Sequence, residues 1–132
     1  KVRAVIRFDV NLSKRMYAGG DVILIPSRYE PCGLTQMIAM RYGCVPLARS
    51  TGGLKDTIFD DEKPDLKNGY LFNDPNPESM SAALTRALND YSIKQKWMDI
   101  QRNGMTTDFS WEKSALEYTK IYSELLKESH ED

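Results

Sequence analysis

The chain has 132 residues, 41% hydrophobic and 28% charged, with 18 Lys+Arg against 19 Asp+Glu for a formal net charge of -1. That length suits one compact domain, and the composition is ordinary for a soluble globular protein. The near-balance of charge argues against a nucleic-acid binder that works through a broad basic surface, and no apolar run approaches membrane-spanning length. Cys32 and Cys44 stand too far apart for a CxxC redox or zinc pair, and the sole histidine, His130, lies in the charged tail. A zinc site, a His-based triad and a disulfide-stapled scaffold are thereby disfavoured, and a reducing, cytosol-like compartment is expected. No signal-peptide pattern precedes the first strand-like run, which starts at Lys1 without a Met, so a fragment of a longer protein is expected.

Residues 2–8, rich in apolar and β-branched side chains, read as a strand. Residues 11–19 have helical spacing (Leu12, Met16) and end on Gly19-Gly20, a suitable stop. The run 21–26 is short and continuously apolar, the pattern of a strand buried on both faces. After a loop, Leu34, Met37, Ile38 and Tyr42 recur at helical spacing up to Gly43, and 44–48 reads as the next strand, with Pro46 near an edge or an end of it. Ser50-Thr51-Gly52-Gly53 reads as a tight loop before a short helical stretch from Leu54, 60–68 as a charged surface excursion, and 69–72 as a last short strand.

The remainder is helical. Asn76-Pro77 supplies an N-cap and a proline at the first helical position, followed by a stripe of Met80, Ala83, Leu84, Ala87, Leu88 and Tyr91. Ser92 with Gln95 resembles a capping box opening a second helix through Trp97 and Ile100. Ser110 caps a third, whose apolar face carries Trp111, Ala115, Thr119, Tyr122 and Leu126, and the polar tail 127–132 is expected to fray. Tyr91, Trp97, Trp111 and Tyr122 read as core or interdomain packing.

Alternating strands and helices predict an α/β fold, a Rossmann-like parallel sheet with covering helices, whose ligands bind outside the carboxyl ends of the strands. Two polar, Gly-bearing loops, 27–33 and 49–53, fall at such ends. In the first, the N–H groups of Gly33, Leu34 and Thr35 open a helix and suit a phosphate, and Gly33 lets a ligand come close to the backbone. Glu30 beside them would repel phosphate, so it either accepts sugar hydroxyls, balances an oxocarbenium-like charge, or merely favours the helix start. Cys32 reads as a small loop filler, since no base neighbours it in sequence. Phe8, at a strand end, offers either a stacking face for a base or a core side chain. Thr51-Gly52-Gly53 is a weak signal alone and gains weight from lying beside the first loop.

Asp21-Val22-Ile23-Leu24-Ile25-Pro26-Ser27-Arg28-Tyr29-Glu30-Pro31-Cys32-Gly33-Leu34-Thr35-Gln36 resembles the donor-site motif of bacterial glycogen synthases and plant starch synthases. Arg41-Tyr42-Gly43, the run from Ser50 through Gly52-Gly53-Leu54 to Thr57, and Phe109-Ser110-Trp111 continue that family's pattern in register. The resemblance implies part of the C-terminal domain of a two-domain GT-B fold. Residues 1–109 would be a partial nucleotide-sugar-binding domain, and 110–132 a helix that packs back toward an absent N-terminal domain. It implies transfer of glucose from ADP-glucose to the non-reducing end of an α-1,4-glucan, with retention and without metal or other cofactor. By resemblance Glu30 contacts the donor glucose, the backbone at Cys32 and Gly33 holds its hydroxyls, and Leu34 and Thr35 meet the phosphates. Phe8 would stack on adenine, and Thr51, Gly52 and Gly53 would line the same cleft.

Related retaining transferases carry a second Glu eight residues after the first. Ile38 stands there, as in the glycogen/starch synthase branch, so a two-carboxylate mechanism has no local support. Electrostatic stabilisation of a tightly held ion pair is expected instead. The family's Lys-bearing N-terminal loop, its cleft histidine and its diphosphate-neutralising Arg/Lys pair are not in this sequence, so the fragment is expected to be inactive alone. The alternatives are a UDP-glucose-using GT-B enzyme, or a non-catalytic nucleotide-sugar or glucan binding module. The resemblance places the protein in the cytoplasm, or in a plastid if it is a plant starch synthase, with no nucleic-acid or membrane partner.

Overall fold

The computed structural model describes residues 1–128, so His130 and the end of the tail lie outside it. In chain order the elements are α1 (Val10–Gly19), β1 (Val22–Ile25), α2 (Thr35–Arg41), β2 (Val45–Arg49), α3 (Gly52–Thr57), a 3-10 turn (Pro64–Leu66), β3 (Tyr70–Phe72), α4 (Pro77–Tyr91), α5 (Lys94–Thr106) and α6 (Trp111–Glu128). The three strands form one parallel sheet in the order β1-β2-β3. Val22 pairs with Val45 and Ile25 with Ala48, while Leu47 pairs with Tyr70 and Arg49 with Phe72.

Side-chain alternation along the strands divides the core into two layers. Val45, Leu47, Tyr70 and Phe72 face Ala83 and Ala87 of α4 and Trp97 and Ile100 of α5. Ile25 and Ala48 face Met40 of α2, Leu54 of α3 and Ile58. The sheet is thus sandwiched between α4/α5 and α2/α3, as its apolar runs predict. Pro46 stands second in β2, one residue before the pairing with β3 begins, so its missing N–H costs that ladder nothing. At the helix starts, the Asp9 carboxylate accepts from the Leu12 amide at 2.9 Å and the Asn76 side chain from the Ser79 amide at 2.8 Å.

Several expectations are corrected. Residues 2–8 form no strand; Ile6 is 98% exposed. A strand persists only if a neighbour takes its backbone hydrogen bonds, and β1 pairs with β2 alone. Nor is β1 buried on both faces: Val22 and Leu24 lie in register with Val45 and Leu47, on the face that α4 and α5 cover over β2, yet are exposed, while Ile25 is buried. On α2 the stripe of Leu34, Ile38 and Tyr42 faces outward, and Gln36, Ala39 and Met40 face the core. Half of the α4 stripe (Leu84, Leu88, Tyr91) is likewise exposed. Trp97 is core, with Tyr91 edge-on to it at 5.0 Å, but Trp111 and Tyr122 are exposed on α6 and serve no core here. The capping box fails too: Ile93 caps α5 without a side-chain bond, Ser92 donates to the Asn89 carbonyl, and Gln95 bonds Asp99. Ser110 does cap α6, accepting from the Lys113 amide at 3.4 Å.

The segment 60–68 is more than a surface excursion. Its middle is exposed, but Asp60, Lys67 and Asn68 are buried. The Asp60 carboxylate accepts from the Leu71 amide at 2.7 Å and from Arg86 at 2.8 Å, while Arg86 also donates to the Leu71 carbonyl at 2.8 Å. Together these side chains take the backbone bonds that a further strand beside β3 would take, closing that edge. Lys67 pairs with Asp60 at 3.0 Å and with Asp61, and Tyr70 donates to Asp90 at 2.9 Å. The Lys67 hydrogen bond holds the Asp61 carboxyl below its ordinary value. Burial pushes Asp90 up, but hydrogen bonds from Lys96 and Tyr70 outweigh it and leave its carboxyl lowered.

Candidate functional site

Both loops singled out from sequence lie where parallel-sheet folds bind ligands, one following β1 and the other following β2. They are packed against each other. The Gly53 amide donates to the carbonyl oxygens of Glu30 and Pro31, each at 3.2 Å. Glycine is required twice here: a Cβ on Gly52 would collide with the Glu30 carbonyl oxygen, and one on Gly53 with the Cys32 carbonyl oxygen. Gly52, at φ +46°, also occupies backbone space that side-chain-bearing residues rarely adopt. Thr51 and the two glycines are therefore the socket in which the first loop sits, and the second loop is more than a turn. It starts α3 two residues earlier than its sequence suggests.

Within the first loop, Gly33 turns the chain at φ +71° into α2. The half-buried Glu30 accepts from the Ser27 hydroxyl at 3.3 Å, which leaves carboxylate lone pairs uncommitted. Cys32 is exposed. Among the described residues the Gly33 and Leu34 amides donate to nothing. Leu34 is the N-cap of α2 and Thr35 its first residue. Because α2 has only seven residues, the local N–H groups matter more here than a long helix dipole. The Thr51 hydroxyl makes no capping bond to α3 and has no partner among the described residues.

The first loop is fixed from two sides. Arg49, at the end of β2, donates to the Arg28 carbonyl at 2.6 Å and to the Asn73 carbonyl at 3.2 Å, tying the loop to the end of β3. Gln36, the second residue of α2, donates its Nε2 to the carbonyl oxygens of Gly33 at 3.0 Å and Cys32 at 3.4 Å, and to Thr57 Oγ1 at 3.1 Å. Sequence reasoning passed over Gln36, Arg49 and Thr57. The signal for Gln36 was a polar residue on a helix face otherwise occupied by Ala39 and Met40; for the contact of Thr57 with Gln36 there was none, since Gln36 lies on another helix.

Glu30, Cys32, Gly33, Leu34 and Thr35 are thus brought together with Thr51, Gly52 and Gly53. Phe8 is not. It is 95% exposed, which excludes the core reading, and it lines a shallow groove with Arg3, Val5, Leu12 and Met16 rather than with either loop. No helix among the described residues is long and apolar enough to cross a membrane.

The sequence is 51% identical to a glycogen synthase of Geotalea daltonii over 122 residues, which are 92% of this chain and 25% of that protein. It is 48% identical to a glycogen synthase of Kosmotoga olearia, covering 96% of this chain and 27% of that one. The fold matches the catalytic domain of starch synthase IV from Arabidopsis thaliana, solved bound to ADP and acarbose. There the TM-score is 0.81 at 45% identity, over 91% of this chain and 25% of the other. A sucrose-phosphate synthase from Thermosynechococcus elongatus matches at a TM-score of 0.65 and 27% identity, over 93% of this chain and 30% of the other. The chain thus spans about a quarter of the length of the curated relatives it matches. The sequence pattern of the family Glycosyl transferases group 1 matches residues 5–104, and with its two apposed strand-end loops in place the chain belongs to that family.

Proposed function

We propose that this chain carries the donor half of the active site of a glycogen or starch synthase. The intact protein would move glucose from ADP-glucose to the non-reducing end of an α-1,4-glucan with retention. The observation that carries the reading is the apposition of the two loops, with the half-buried carboxylate of Glu30 beside amides of Gly33 and Leu34 that have no partner among the described residues. The relatives named glycogen synthase, and the starch synthase bound to ADP and acarbose, support the choice of nucleotide and acceptor.

In this reading the donor glucose lies over the loop 30–33, with hydroxyls on Glu30 and on the backbone at Cys32 and Gly33. Its diphosphate meets the N–H groups at Leu34 and Thr35 and the Thr35 hydroxyl. Backbone donors aimed at the leaving phosphate stabilise the charge that develops as the glycosidic bond breaks, and they need no metal. With Ile38 where a second carboxylate would stand, retention rests on a tight ion pair and not on a glycosyl-enzyme ester. The Thr51–Gly53 loop closes the other side, and Phe8 swings to the adenine only once strands from the rest of the protein pair residues 2–8. The exposed apolar face of α6 packs on the N-terminal domain. We place the protein in the cytoplasm, or in a plastid if its source is a plant.

Titration of the intact protein with ADP, UDP and glucan tests the choice of ligand. Tighter binding of ADP than of UDP is expected. Preference for UDP would replace the donor, and glucan binding with no affinity for either nucleotide would point to a binding module.

A further inference from the structure

Gln36 is fully buried, with 0% exposure, in the face of α2 that meets the core. Its Oε1 has no hydrogen-bond partner among the described residues. An unpaired buried amide oxygen is unfavourable, and Leu or Met would fill the same volume without it. Packing alone therefore does not explain a glutamine at this position. What the residue gains is on its other atom. Nε2 faces three oxygens: the carbonyls of Cys32 and Gly33, and Thr57 Oγ1, whose own proton goes to the Gly53 carbonyl at 2.6 Å. That environment fixes which way round the amide sits, since a flipped Oε1 would face three acceptors.

The geometry of the peptide bond turns this into a statement about the site. In a trans peptide the C=O and the following N–H point in opposite directions, and the chain has no cis peptide. Drawing the Cys32 carbonyl inward therefore turns the Gly33 N–H outward, and drawing the Gly33 carbonyl inward turns the Leu34 N–H outward. Neither of these amides has a partner among the described residues. Through Thr57 the same side chain is linked to Gly53, in the opposite loop.

We propose that Gln36 is a positioning residue for glucosyl transfer: it aims the Gly33 and Leu34 amides into the donor site and locks the two loops in register. This rests on the donor-site reading above. The test is steady-state kinetics on the intact protein carrying Gln36→Leu, with Thr57→Val and Thr57→Ser alongside. For Gln36→Leu, kcat with ADP-glucose falls about tenfold or more, the scale of a misaimed amide donor, while the KM for glucan and the unfolding midpoint hold. Thr57→Val shows a smaller fall that Thr57→Ser restores, and the double variant Gln36→Leu/Thr57→Val loses less than the product of the singles, because both act through one contact.

If Gln36→Leu does not fold, the Thr57 pair decides: equal kcat for the Val and Ser variants would overturn the proposal. So would a folded Gln36→Leu with wild-type kcat and donor KM, or a loss that merely tracks its unfolded fraction. A wild type that transfers glucose from neither ADP-glucose nor UDP-glucose would instead overturn the functional reading itself, and this role with it.

Discussion

Gly53 shows how much of a site can rest on a missing side chain. Its amide holds two carbonyls of the facing loop, and no Cβ fits in the space the Cys32 carbonyl occupies. Gly53→Ala must push the loops apart, at a cost of about 1–3 kcal/mol for overpacking. The expected outcome is a lowered unfolding midpoint together with a weakened affinity for ADP in the intact protein; a variant with unchanged ADP affinity would count against the apposed loops as one site. That Thr51-Gly52-Gly53 lies beside the first loop was legible through its place after a strand, and Glu30 stood out through its motif. Gln36 and Thr57 were not, because the bond that links them spans 21 residues and no local pattern announces such a pair.

Elements were legible where a periodic pattern coincided with a cap or a glycine. Asn76-Pro77 starts α4 and Gly19-Gly20 ends α1 as their chemistry demands, and β2 sits at the centre of the sheet. Residues 2–8 failed because strand propensity is realised only through pairing, and no neighbouring strand takes their backbone bonds. The outward stripes on α2 and α4 failed for a related reason: periodicity identifies an apolar face but not whether anything covers it. The edge of β3 carried a different signal, a charged segment whose Asp60 and Lys67 turn inward. Its consequence is pH-dependent stability. Asp61 in the folded protein lies below its ordinary value of 3.8 because Lys67 and Arg86 favour the carboxylate. A lowered carboxylate contributes stability that is complete above 3.8 and lost as pH falls through the folded value. The unfolding midpoint should accordingly drop on acidification through this range, and Asp61→Asn should flatten the drop. Since the Asp61 side chain is 60% exposed, solvent screens the effect and it should be small. An acid drop of full size in Asp61→Asn would assign it to other carboxylates.

For the whole molecule, the fold class followed from four strand-like runs separated by helical stretches, three of which are strands, and the family from the motif at 21–36 continued in register at 41–43, 50–57 and 109–111. What sequence could not convey is how one-sided the chain is. Val22 and Leu24 on β1, and Trp111, Tyr118 and Tyr122 on α6, are all exposed. The chain covers about a quarter of its relatives, so these faces are where the rest of the protein is expected to pack and where the other wall of the cleft is expected to stand. The most direct test of the account is radiolabelled glucose transfer from ADP-glucose to glucan. It would be run with the intact wild type, intact Glu30→Gln, and the 132-residue chain alone. The account predicts extension by the wild type, a loss on the order of a hundredfold for Glu30→Gln, and none by the isolated chain. Undiminished transfer by Glu30→Gln, or glucan extension by the isolated chain, would contradict it.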